Sequence, residues 1–156
     1  MNKVPNQASY AQPLVSVLEK LFRREAEGIG LEAAFLFGSR SWGLPRQDSD
    51  VDIAVLFTNM EGLCDDDIFQ RLTALTLKLT RTLNLETNIL PIYPDFRKPM
   101  LYYNAIVHGT PLFVKTPEYH TWLRLEAIRH MEDFQIFGVR WQVQAARKNL
   151  YGRKRG

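Results

Sequence analysis

The sequence predicts an α/β fold in which a small mixed sheet of about four strands is flanked by helices and followed by a helical extension. Three observations lead there. AAFLF at 33–37 is short and apolar on both faces, as a central strand is, and VDIAVLF at 51–57 reads as a second strand begun by its charged end. Ile68, Leu72, Leu75, Leu79 and Leu83 recur at spacings of four, three, four and four, which marks an amphipathic helix. Strand and helix signals then follow in the order helix, strand, strand, helix, strand, helix, strand, helix.

Residues 1 to about 9 are polar and expected to be loose. Pro13 suits the opening of a helix, because a proline loses nothing at the first helical position. Leu14, Leu18, Leu21 and Phe22 make that helix's apolar stripe, and Gly28-Ile-Gly30 ends it. Asp65-Asp66-Asp67 heads the next helix, where acids cap it and complement its dipole. LETNILPIY at 85–93 reads as a third strand, with Pro91 marking its end or an edge. A short helix over 100–107 leads through His108-Gly109 to a strand at PLFV, 111–114. Thr116-Pro117-Glu118 then supplies an N-cap, a proline at the first helical position and an acid in the first turn. Trp122, Leu125, Ile128, Phe134, Phe137 and Trp141 carry apolar character along the last helix, and Gly138 weakens it by roughly 1 kcal/mol and favours a bend. The aromatic stripe from Phe134 to Trp141 is expected to pack on the chain's own core, with a partner interface as the alternative.

At 156 residues the chain suits one domain, with a core over about 11–115 and a helix and basic tail over about 117–156. Apolar content of 46% and charged content of 24% are ordinary for a globular protein, and a formal charge of +3 is too small to argue for nucleic acid. Cys64 stands alone, which excludes an intramolecular disulfide and fits a reducing cytoplasm. The start, MNKVPNQASYAQP, lacks the apolar segment of a signal peptide, and no apolar run is long enough to span a membrane. A cytoplasmic protein is expected. His108, His120 and His130 have no spacing that suggests zinc and read as structural or surface residues.

Chemistry concentrates in FGSRSWGLPRQDSDVDIAV, residues 37–55. Asp50 and Asp52 are two apart at the head of a strand and so point the same way, and their repulsion raises the cost of keeping both ionised. Hard oxygen ligands grouped in this way suit Mg²⁺, which holds phosphates through one or two carboxylates. Gly38 bares the backbone at the end of the preceding strand, and Ser39 adds a hydroxyl and N–H groups to a natural phosphate cradle.

Gly38-Ser39, ten residues, then Asp50-Val51-Asp52 resembles the GS-x10-DxD signature of the polymerase β-like nucleotidyltransferase superfamily. Within it, the chain resembles the minimal nucleotidyltransferases (MNT) that form the antitoxin half of HEPN–MNT toxin–antitoxin modules. The resemblance covers roughly residues 30–115. It implies that Gly38 and Ser39 hold the nucleotide's phosphates and that Asp50 and Asp52 bind two Mg²⁺. Arg40 and Arg46 lie in reach of the triphosphate, with solvated loop charges as the alternative, and Trp42 is read as a cover for the core, with stacking on a base as the alternative. The superfamily's third carboxylate corresponds here to Asn88, which can offer a carbonyl oxygen but cannot act as a general base. Glu86, two residues earlier on the same strand face, is the other candidate.

The function implied is transfer of AMP from ATP to a tyrosine of a HEPN ribonuclease toxin, in a hetero-oligomer with that toxin. Two other readings stay open. Asn88 favours an antitoxin that neutralises its toxin by binding alone. The basic tail, Arg147, Lys148, Arg153, Lys154 and Arg155, gives nucleotidyl transfer to an RNA end or small molecule a lesser claim, and nucleic acid is not the expected partner.

Overall fold

The computed structural model describes residues 8–38 and 50–152. Helix α1 (Ala8–Ile29) leads into strand β1 (Leu31–Phe37), and β2 (Val51–Phe57) follows. Helix α2 (Asp65–Leu83), strand β3 (Thr87–Pro91), helix α3 (Pro99–Tyr103), strand β4 (Thr110–Val114) and helix α4 (Pro117–Gly152) complete the chain. The sheet runs β3-β2-β1-β4, with β1 antiparallel to both β2 and β4 and β2 parallel to β3. It is the expected four-stranded mixed sheet flanked by helices.

Both faces of the sheet are covered, which is why its central strands lack a polar side. Leu36, Val51, Ile53, Val55 and Phe57 bury one face against Leu18, Leu21 and Phe22 of α1 and Ile68, Leu75 and Leu79 of α2. Phe35, Ala54 and Leu56 pack the other face against Tyr102, Ala105, Ile106, Leu123 and Ala127. The predicted stripes on α1 and α2 therefore supply one layer. Gly30 ends α1 in the left-handed region (φ +64°), a conformation that costs glycine little.

Local details differ from expectation. Helix α1 begins at Ala8, so Pro13 lies inside it rather than at its opening. A proline there removes one ladder bond, and the stripe that follows still anchors the helix to the sheet. The third strand is shorter than residues 85–93 and ends at Pro91, on an edge where a missing N–H is tolerated. Pro111 sits likewise on the opposite edge, in β4. The helix at 100–107 is α-helical only through Tyr103 and then widens into a π turn, Asn104–His108. Gly109 lets that turn close on β1, because a Cβ would strike the Ala105 carbonyl oxygen and lie 2.7 Å from that of Leu36. At the head of α2, Asp65, Asp66 and Asp67 occupy the first turn, but Cys64 is the N-cap and makes no capping bond with its side chain.

The expectation that Phe134–Trp141 packs on the core is not met. Phe134, Phe137 and Trp141 are 44%, 71% and 64% exposed. Length is the cause: 36 helical residues span about 54 Å, more than twice the reach of a five- to seven-residue strand. Only the first part of α4 meets the sheet, through Leu123 and Ala127.

Candidate active site

Strand register brings the candidate residues together. Antiparallel pairing sets Asp52 opposite Phe37, the residue before Gly38, and parallel pairing sets Asp52 beside Asn88. Val51 and Ile53 point into the α1/α2 core, so alternation turns Asp52 to the other face. Asn88 faces the same way, since Ile89 packs toward α1/α2 and Leu90 toward α3/α4. The Val51 N–H donates to the Glu86 carbonyl at 2.9 Å and continues the pairing to the mouth of the two strands.

Here the Asn88 amide bridges the two acids. Its Nδ2 donates to Asp50 Oδ2 at 3.3 Å and to Asp52 Oδ1 at 3.2 Å. The NH₂ group has two donors, enough for both carboxylates, and answers in part the repulsion between them. Reading Asn88 only as a possible metal ligand missed this donor role, because it depends on how β2 and β3 are registered. All three side chains are solvent-accessible, so the carboxylate oxygens are open to a ligand.

Gly38 forms the third side. It sits in the left-handed region (φ +74°), and a Cβ there would lie 2.5 Å from Asp52 Oδ2 and 3.4 Å from its carboxyl carbon. The dihedral favours glycine, and the bare backbone lets the Asp52 carboxylate approach closely. Ser39, Arg40, Trp42 and Arg46 lie outside the described residues. Glu86 is exposed, and among the described residues no group of three His, Cys, Asp or Glu side chains could hold a metal ion. Its carboxylate does not complete such a group with Asp50 and Asp52.

The histidines lie on separate contacts. His108 meets the Tyr103 ring edge-on at 5.1 Å, and His120 lies 5.8 Å from Phe35. His130 stacks on Phe96 at 4.7 Å. Burial lowers the His120 pKa, with Arg124 acting in the same direction, and its Nε2 is buried with no hydrogen-bond partner among the described residues. Cys64 is exposed as a free thiol whose Sγ lies 3.1 Å from Asp67 Oδ2. No helix among the described residues is long and apolar enough to cross a membrane.

The fold has counterparts among known proteins. No curated protein matches the chain by sequence. Among solved structures, a chain of a toxin–antitoxin complex with AMP-PNP is similar at TM-score 0.63 and 21% identity, covering 85% of this chain and 98% of that one. A chain of the tri-AMPylated Shewanella oneidensis HEPN toxin in complex with MNT antitoxin matches at TM-score 0.59 and 19% identity, covering 88% and 98%. The toxin–antitoxin MntA–HepT matches at TM-score 0.59 and 18% identity, covering 87% and 98%. At these identities the likeness is one of fold. The family model for polymerase beta nucleotidyltransferases matches residues 18–118, from the first helix through the last strand and including both aspartates. With well over half of its length accounted for in this way, the chain belongs to the polymerase β nucleotidyltransferase family.

Proposed function

We propose that this protein is a Mg²⁺-dependent nucleotidyltransferase that moves AMP from ATP to a tyrosine of a cognate HEPN ribonuclease toxin, and so acts as its antitoxin in the cytoplasm. The observation that carries this reading is the convergence of Gly38, Asp50, Asp52 and Asn88 at one end of the sheet, in a chain of this family. The AMP-PNP complex and the AMPylated toxin complex among its structural relatives support the choice of nucleotide and acceptor.

The donor set fits a hard divalent cation, since two carboxylates lie close enough to share one amide donor and remain open to solvent. Asp50 and Asp52 are the residues proposed to hold Mg²⁺, with two ions as the full complement. When bound, the metal neutralises phosphate charge and favours displacement at the α-phosphorus. The Gly38 backbone and Ser39 hold the phosphates, and Arg40 and Arg46 steady the triphosphate. The tyrosine oxygen forms a bond to the α-phosphorus as the bond to the β-phosphate oxygen breaks, and pyrophosphate leaves. Asn88 has no basic atom for the phenolic proton, so Glu86 is the carboxylate proposed to accept it. Asn88 keeps the two aspartates in register.

Asn88 also favours a second reading, an antitoxin that binds its toxin without chemistry. One experiment separates the two. Purified protein, toxin, ATP and Mg²⁺ are expected to give toxin heavier by one or more AMP groups by intact mass. Asp50→Asn with Asp52→Asn is expected to give none and to lose protection in cells. Full protection by that double variant would overturn the enzymatic reading and leave the binding one.

A further inference from the structure

The overhanging half of α4 carries two apolar stripes, not one. At about 100° per residue, Phe134, Phe137, Trp141 and Ala145 line one side, while Ile136, Val139, Val143 and Leu150 line the opposite side. The large apolar side chains of both stripes are exposed. A helix with apolar side chains on two opposite sides needs cover on both. Charge is equally one-sided. From Phe134 to the end of the chain, Arg140, Arg147, Lys148, Arg153, Lys154 and Arg155 occur with no Asp or Glu.

We infer that this half of α4 is the docking element for the toxin, inserting into a cleft with two apolar walls and an acidic lip. The inference rests on the toxin–antitoxin reading above and specifies where the partner binds. Two opposed stripes select a cleft over a flat surface, since a single contact would leave one stripe in water. The excess of cations selects an acidic lip. A second copy fits less well. A two-fold pairing covers one stripe per helix and leaves the other in water.

The test measures binding of the full chain to a purified HEPN toxin, by calorimetry, for wild type, Phe137→Asp, Val139→Asp and the pair Arg147→Glu with Lys148→Glu. Both single sites are solvent-facing, so circular dichroism is expected to match wild type. Each single variant is expected to weaken binding by about thirtyfold or more. The charge reversal is expected to weaken it at low salt and flatten its salt dependence. Leu77→Asp, at an exposed position on α2, is expected to bind as wild type does.

No complex with wild type would overturn both the partner and this inference. A wild-type complex indifferent to the α4 variants would overturn this inference alone. Sensitivity confined to one stripe would overturn the two-walled cleft. A dimer of the isolated chain lost on Phe137→Asp, or RNA that displaces the toxin and is sensitive to the same variants, would assign the helix to another occupant and overturn it as well.

Discussion

Asn88 holds Asp50 and Asp52 together with a neutral amide where a third acid would add another negative charge. Asn88→Asp therefore has two opposite effects. Without metal, three carboxylates repel, and the thermal midpoint in EDTA is expected to fall by an amount equivalent to about 1 kcal/mol. With Mg²⁺ and ATP, the added charge is expected to tighten metal binding about tenfold and raise the midpoint above that of wild type. Differential scanning fluorimetry in the two buffers checks both halves. Gly38→Ala meets a left-handed backbone and the Asp52 carboxylate at once. It is expected to cost about 1–2 kcal/mol in stability and to abolish nucleotide binding measured by titration with ATP and Mg²⁺. The meeting of Gly38 with Asp52 was legible in the sequence, because two neighbouring apolar strands joined by one loop bring the end of the first beside the head of the second. The Asn88 bridge was not, because it arises from the register of two strands separated by a whole helix.

At the scale of elements, the start of α4 is fastened to the sheet by a polar cluster. Tyr119 Oη donates to Glu32 Oε2 at 2.6 Å, and Lys115 Nζ meets Glu32 Oε1 at 3.1 Å. Burial first, and Glu32 second, push the Tyr119 pKa up, so the phenol keeps the proton it donates. Tyr119→Phe is expected to lower stability by about 1–2 kcal/mol in urea unfolding, with no change in AMP transfer. One residue on, His120 has a folded-state pKa below its usual 6.5 because burial opposes its charge. The unfolded chain then takes up the proton first as pH falls. Stability is expected to be complete above about pH 6.5, to fall as pH drops from there toward the folded value, and to level off below it. His120→Phe is expected to flatten that part of the melting profile. The Thr116 N-cap was readable from its own tripeptide, and the structure bears it out with a 3.1 Å bond from the Tyr119 N–H to Thr116 Oγ1. Glu32 was not, since its partners lie more than 80 residues away. Apolar periodicity likewise could mark α4 as a helix but not show that it outruns the sheet.

Considered as a whole molecule, the protein divides its tasks between two places: a polar notch where β1, β2 and β3 open, and a long helix that leaves the sheet. Both margins of the sheet are guarded by proline, Pro91 on β3 and Pro111 on β4. Each lacks a backbone hydrogen that an incoming strand would need. Ribbon-wise growth is therefore disfavoured on either flank. Polymerisation of the chain through its own β-structure is thereby disfavoured.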